Sequence, residues 1–347
     1  MDEKNLNRWL NSRKARKAAL TADTLFNGIQ NQSVKDLSQA ITLLESTLES
    51  DQKIAKKLIS KCLPYSGQSI RIGITGVPGV GKSTFIESFG KLLHNEGKKV
   101  AVLAIDPSSE VSGGSILGDK TRMEEISTLP NIFIRPTPSG KSLGGVAQKT
   151  REAIYLCEAG GFDVILIETV GVGQSSTMVH SMVDFFLLLM LSGAGDELQG
   201  IKRGIMEMAD SLVITKADGD NLEKAKKAAN EYKNAMHLFP PSENNWIPKS
   251  IICSAYTNFN IDLVWDTIQQ FIKHNQENGW LEHNRQIQDN YWFEESVRET
   301  LIQHFLDNPT SKEFIKDLKL QIEQKSISAI QAADILFNQL INKNGSN

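Results

Sequence analysis

Between residues 69 and 272, short unbroken apolar runs alternate with longer stretches in which apolar positions recur at helical spacing. The runs fall at 70–75, 100–105, 132–135, 164–168, 185–191, 212–215 and 251–254. Most are continuous rather than alternating, as expected of strands buried on both faces. Strands separated by helix-length segments predict an α/β domain with a mostly parallel, doubly wound sheet. The first 65 residues are polar with helical periodicity. Leu37, Ile41, Leu44 and Leu48 share one face, and Ser33 with Asp36 forms a capping box. Pro64 and the Ser-Gly-Gln after it end this prefix. Beyond Ile272 the apolar runs stop. Phe314, Leu318 and Ile322, then Ile330, Ala333, Phe337 and Leu340, sit at helical spacing. The texture divides the chain into a helical extension (1–65), an α/β domain (66–275) and a helical C-terminal segment (276–347).

Composition narrows the classes. A chain of 347 residues with 40% hydrophobic and 23% charged content is that of an ordinary globular protein. A net charge of −3 gives no reason to expect nucleic acid or an anionic membrane surface. The most apolar run, 185–191, is seven residues, too short to span a bilayer. The opening MDEKNLNRWL resembles neither a secretory signal nor a transit peptide. Three well-separated cysteines, Cys62, Cys157 and Cys253, point to a reducing compartment. A cytoplasmic protein is expected. The basic cluster Arg13, Lys14, Arg16 and Lys17 reads as a solvated helix face.

The chemistry begins with GVPGVGKST at 76–84, which fits G-x-x-x-x-G-K-[ST] between a strand and an amphipathic segment. Gly76, Val77, Pro78, Gly79, Val80 and Gly81 curl the backbone so that its N–H groups face phosphate oxygens at a helix N-terminus. Lys82 would reach the β- and γ-phosphates, Ser83 would ligate Mg2+, and Thr84 completes the loop. PSGKSLGG at 138–145 is not a second copy, because Arg135 stands where the first glycine is required. AIDPSS at 104–109 closes a strand at the edge where such sheets bind ligands. Asp106 is therefore placed for Mg2+ or, alternatively, for a helix or turn cap. Asp119, in GDKTRM, lies on a polar loop where a switch segment would fall, and spacing alone does not decide its role.

In DVILIETVGVGQSS (163–176), Glu168 can bind the metal through water, and Gly171 fills the place whose N–H senses the γ-phosphate. Many hydrolases put a water-orienting Gln directly after that glycine. Here Val172 follows and the nearest Gln is Gln174, which implies slow intrinsic hydrolysis awaiting a partner or conformation. VITKADGD (213–220) resembles a guanine-reading loop in which Lys216 stacks on the base and Asp218 accepts from its N1 and N2 groups. Thr215 stands where Asn is expected, which would weaken a bond that braces the loop. Ser254-Ala255, in CSAY, would complete the guanine pocket. The six histidines are scattered and no C-x-x-C occurs, so a lone residue such as His180 reads as structural.

Together these stretches resemble the G3E, SIMIBI-class P-loop GTPases that carry Glu in their ExxG motif. Within that class, GGSILGDKTRM, LGGVAQKTREA, AGDELQGIKRGIMEMAD and TKADGD resemble the methylmalonyl-CoA mutase-associated GTPases, the MeaB/MMAA/ArgK group. The likeness is strong over about 35–260 and looser at the helical ends, where YWFEE (291–295) is the best landmark. It implies a GTPase with Mg2+ and bound GTP or GDP, acting as chaperone to an adenosylcobalamin-dependent methylmalonyl-CoA mutase or related acyl-CoA mutase. It would gate cofactor loading and guard the mutase against inactivation, with no nucleic-acid or membrane partner. Carried over by position, Lys82, Asp119, Glu168 and Gly171 serve catalysis, while Ser83, Asp106, Asp119 and Glu168 serve the metal. Glu168 to Gln174 form a second switch. Asp196, Glu197, Gln199 and Lys202 belong to a third that signals to the partner. The C-terminal helices would form a homodimerisation arm. The family also bears an older label as an amino-acid transport kinase, and nothing here supports a protein-kinase site. Alternatives are a GTPase that inserts nickel or another metal, against which the missing Cys/His relay counts, a nucleotide-dependent adaptor, and a small-molecule kinase.

Overall fold

The computed structural model describes residues 20–105, 123–137, 143–169, 173–193, 203–306 and 309–344. Seven strands form one sheet: β1 (Ile70–Gly76), β2 (Val100–Ile105), β3 (Ile132–Thr137), β4 (Val164–Thr169), β5 (Phe185–Met190), β6 (Ser211–Ile214) and β7 (Lys249–Ile252). Every pairing is parallel, in the order β3-β2-β4-β1-β5-β6-β7. Each predicted run becomes a strand. The largest shift is at β7, which ends at Ile252 because Ser254 instead bridges back to Phe259 in a tight loop.

The burial of β2, β4 and β5 is continuous along their whole lengths. That is why their sequences show no alternation: helices cover both faces. Successive residues of β5 show the two faces directly. Phe185 meets Phe271 of α10 (Ile261–Glu277) edge-on at 5.0 Å, while Phe186 meets His180 of α7 (Gln174–His180) at 5.5 Å. His180 is thus a packing residue, as its sequence context suggests. On the α10 side, α4 (Lys82–Asn95) contributes Phe85 and Phe89, and Phe89 lies edge-on to Trp265 at 5.9 Å.

The helical prefix forms α1 (Ala22–Gln30), α2 (Val34–Glu45) and α3 (Glu49–Cys62), which pack on one another and on α6 (Leu143–Ala159). Ser33 caps α2 by accepting the Asp36 N–H at 3.3 Å. Leu37, Ile41 and Leu44 are buried, but Leu48 is 54% exposed. The reason is that α2 ends at Glu45 and Leu48 becomes the cap of α3, off the helical register that placed it on the apolar face.

Among the described residues, the connections also hold the short helices α5 (Glu124–Ser127) and α8 (Arg203–Glu207) and the longer α9 (Leu222–Met236). The chain divides into two compact units, residues 1–288 and 289–347. The helix α11 (Trp280–Leu306) runs through the division. The second unit holds the rest of α11 with α12 (Pro309–Glu323) and α13 (Ala329–Asn344).

Polar ties at the N-terminal ends of the strands fix the sheet to its surroundings. Arg71 of β1 makes a bidentate pair with Glu158 of α6 (2.8 and 3.0 Å), both side chains buried. Arg285 of α11 grips both oxygens of Asp184 at 2.7 Å and donates to the carbonyls of Gly67 and Ser69.

Candidate functional site

The C-terminal ends of β1, β4, β6 and β7 carry the sequence-predicted residues to one edge of the sheet. The order of the strands reverses around β1, where open α/β sheets place their ligands. The loop after β1 turns through Gly79 (φ 76°) and Gly81 (φ 90°), both in left-handed conformations that side chains rarely adopt. Gly76 is required for a different reason. A Cβ there would lie 2.5 Å from the Leu189 carbonyl of β5, so the loop leaves the strand hard against its neighbour. Gly81 then precedes the first turn of α4, whose free N–H groups favour an anion.

Lys82 begins α4 and folds back on the loop, donating from Nζ to the Gly76 carbonyl at 2.9 Å. Burial pulls its pKa down, while the charge of Glu168 acts the other way. Ser83, next on α4, sits with its Oγ 3.5 Å from Glu168 Oε1. Glu168 itself is buried near the end of β4, in register with Ile74 of β1 and Ala104 of β2. A hydroxyl and a carboxylate side by side, both hard oxygen donors, suit a small divalent cation such as Mg2+. Val77 and Val80 are buried under the loop, while Pro78 and Thr84 are exposed.

The base-side loops reach the same place. Lys216 adopts a left-handed conformation (φ 56°), uncommon for a residue with a side chain. Asn221 steadies it by donating to the Lys216 carbonyl at 2.7 Å, and Ser192 donates in turn to Asn221 Oδ1 at 2.6 Å. The Lys216 side chain then crosses the phosphate loop, where its Nζ donates to the Gly79 carbonyl at 2.8 Å. Ser254 donates from Oγ to Asp218 Oδ2, so the two halves of the expected guanine pocket are joined. Ala255 is held by Ser88 of α4, which donates to its carbonyl at 2.7 Å.

Thr215 corrects the sequence reading. Its hydroxyl donates to the Val80 carbonyl at 2.7 Å, so the brace between base loop and phosphate loop is present in spite of the missing Asn. Sequence reasoning also missed Asn221 and Ser192, and the buried hydroxyls Thr75, Thr169 and Ser176 near the same edge. The available signal was a polar residue closing an otherwise apolar strand, as Thr75 and Thr169 do.

The structure thus brings together Gly76 to Thr84, Glu168, Lys216, Asp218, Ser254 and Ala255. Asp106, Asp119, Gly171, Asp196, Glu197, Gln199 and Lys202 lie outside the described residues, as does the basic cluster at 13–17. Gln174 opens α7. No group of three or more His, Cys, Asp or Glu capable of holding a metal occurs among the described residues. No helix among them is long and apolar enough to cross a membrane.

An all-parallel sheet with this loop between its central strand and a helix defines a P-loop nucleotide hydrolase. The comparisons carry the assignment further. The family model described as methylmalonyl Co-A mutase-associated GTPase MeaB matches residues 37–310. The chain belongs to that family and is a GTPase. It is 44% identical over 292 residues to the GTPase ArgK of Escherichia coli K12, covering 84% of this chain and 88% of that one. It is likewise 44% identical over 325 residues to the mitochondrial methylmalonic aciduria type A homolog of Mus musculus, covering 91% of this chain and 78% of that one. A solved structure described as an LAO/AO transport system kinase aligns with a TM-score of 0.71 and 35% identity, over 92% of this chain and 97% of that one.

Proposed function

We propose that this GTPase times the loading of adenosylcobalamin into an acyl-CoA mutase of the methylmalonyl-CoA type and protects that enzyme from inactivation. The observation that carries the reading is the joining of Lys82, the Ser83–Glu168 pair and the Thr215–Lys216–Asp218–Ser254 loops at one sheet edge, in a chain of a mutase-associated family.

In this reading Lys82 exchanges the Gly76 carbonyl for phosphate oxygens, and the loop N–H groups orient the polyphosphate. Ser83 would hold Mg2+ directly and Glu168 through water, with Asp106 and Asp119 in the metal and first-switch region. When bound, the cation neutralises charge on the transferring phosphoryl group. Asp218 accepts from guanine N1 and N2 while the Lys216 stem covers the base. Gly171 senses the terminal phosphate, and Gln174 with Asp196, Glu197, Gln199 and Lys202 reports the nucleotide state to the mutase. Because Val172 replaces a water-orienting Gln, hydrolysis is slow until the partner completes the site.

The protein acts in the cytoplasm as a homodimer, joined through helices 276–347. Support for the arm comes from the exposed apolar side chains Leu320, Ile330, Ile335 and Phe337 on α12 and α13. Light scattering should give twice the 38.5 kDa chain mass for the native protein, and Phe337→Glu should give a monomer. A native monomer would reject the arm.

The central test follows mutase activity during prolonged turnover. Native protein with GTP should extend the active lifetime, and the Lys82→Ala variant, unable to bind nucleotide, should not. Full protection by that variant would mean that nucleotide turnover is incidental to an adaptor.

A further inference from the structure

Three buried hydroxyls meet beneath the phosphate loop. Thr169 donates from Oγ1 to Thr75 Oγ1 at 2.9 Å, and Thr75 Oγ1 lies 2.8 Å from Ser176 Oγ. All three residues are fully buried. Thr75 directly precedes Gly76 at the end of β1, and Thr169 ends β4 immediately after Glu168. Ser176 stands in the first turn of α7, and its backbone N–H donates to the Gly173 carbonyl at 3.0 Å.

The helix α7 meets β1 at a second point. Gly73 is two residues before Thr75 and so on the same face of the strand. A Cβ at Gly73 would lie 2.8 Å from Val179 Cγ1 and 2.9 Å from Phe186 Cδ2. Val179 is three residues beyond Ser176, on the same side of α7. Thus α7 rests on β1 at two points, a close steric seat at Gly73 and a hydroxyl contact at Thr75.

Stability alone does not account for the hydroxyls. Valine has nearly the shape of threonine, and an apolar trio would fill the same space. Burying a hydroxyl costs about 1–3 kcal/mol in proteins, its hydrogen bond does little more than offset this, and replacing all the partners by apolar groups of the same shape is close to neutral. What the bonds supply beyond packing is direction. They fix the end of β4 and the start of α7 against the strand that carries the phosphate loop.

We propose that Thr75, Thr169 and Ser176 are positioning residues for GTP hydrolysis. They form a latch that ties Thr169, next to Glu168, and Ser176, in the first turn of α7, to the strand that carries the phosphate loop. The inference rests on the reading of this edge as the nucleotide site. The latch joins side chains of β1, β4 and α7, so its loss should lower turnover and spare ground-state binding.

The test uses the full chain. Thr75→Val should lower kcat for GTP about tenfold or more, ~1.4 kcal/mol in the barrier, with GDP affinity changed by less than about threefold. Thr75→Ser, which restores the hydroxyl, should recover turnover. Ser176→Ala, which cuts one of the two bonds, should also lower kcat, and the double variant should lose no more than Thr75→Val alone, because that variant already removes the Thr75–Ser176 bond. A readout apart from activity is amide hydrogen exchange over 173–179. A non-hydrolysable GTP analogue should slow it relative to GDP in the native protein and fail to do so in Thr75→Val. Unchanged kcat, additive losses, or an equal fall in GDP affinity would each overturn the latch. If Thr75→Val does not fold, Ser176→Ala decides by the same criteria. A native chain that does not hydrolyse GTP would instead reject the reading of the site.

Discussion

Thr215 shows how one hydroxyl can replace the residue a motif expects. Its Oγ1 donates to the Val80 carbonyl at 2.7 Å and ties the base loop to the phosphate loop, the work the absent Asn would do. With that brace in place, the proposed reading leaves Asp218 to select the base. Asp218→Asn turns an acceptor into a donor opposite guanine N1 and N2. We expect GTP to lose at least about tenfold in apparent affinity, ~1.4 kcal/mol, while xanthosine triphosphate gains. Competition binding with the two nucleotides checks this, and unchanged GTP affinity would remove Asp218 from the pocket. Lys82, Ser83, Lys216 and Asp218 were legible in the sequence because their chemistry forces a fixed local spacing. Asn221, Ser192 and the Thr75–Thr169–Ser176 cluster were not. Their partners lie on other elements, and a lone Ser or Thr carries no periodic signal. The latch hydroxyls Thr75 and Ser176, for example, are 101 residues apart.

At the scale of elements, the strands were readable because burial on both faces leaves unbroken apolar runs such as 185–190. Their ends were less so. The bridge from Ser254 to Phe259 and the early stop of α2 at Glu45 are decided by turns and contacts, not by hydrophobic period. The polar anchoring of β1 and β5 was invisible, since Arg71–Glu158 and Arg285–Asp184 join positions far apart in the chain. Asp184 and Asp210 play matched parts there, accepting the N–H groups of Arg71 and Phe186 at 2.8 Å. Asp184 is paired with Arg285, whereas burial raises the Asp210 carboxyl from its ordinary 3.8 to about 7. The charge of Asp184 adds to that rise, and the Phe186 N–H opposes it. An acid whose pKa is higher folded than unfolded binds more protons in the folded state between the two values. Its contribution is therefore present below pH 4 and is lost as pH climbs to about 7. Asp210→Asn keeps an acceptor for Phe186 and cannot ionise. Thermal melts should show the variant gaining on the native protein from pH 4 to 7.5, and a constant gap would show that Asp210 titrates normally.

At the scale of the whole molecule, the proposed reading gives the two compact units, 1–288 and 289–347, different tasks. The first unit gathers the phosphate loop, the Ser83–Glu168 pair and the base loop at one sheet edge, and the second exposes apolar side chains suited to a dimer contact. In the proposed reading, slow intrinsic turnover joins these features, because a hydrolase that times a handover must wait for its client. Val172, where many hydrolases place a water-orienting Gln, would be the sequence mark of that waiting. The most direct measurement is GTP turnover at saturating Mg2+, alone and with the adenosylcobalamin-dependent mutase of the same organism. A slow basal rate raised at least about tenfold, ~1.4 kcal/mol in the barrier, is the expected result. An unchanged rate with no complex formed would contradict the gated-chaperone account and leave a GTPase whose client is another cofactor-loading system.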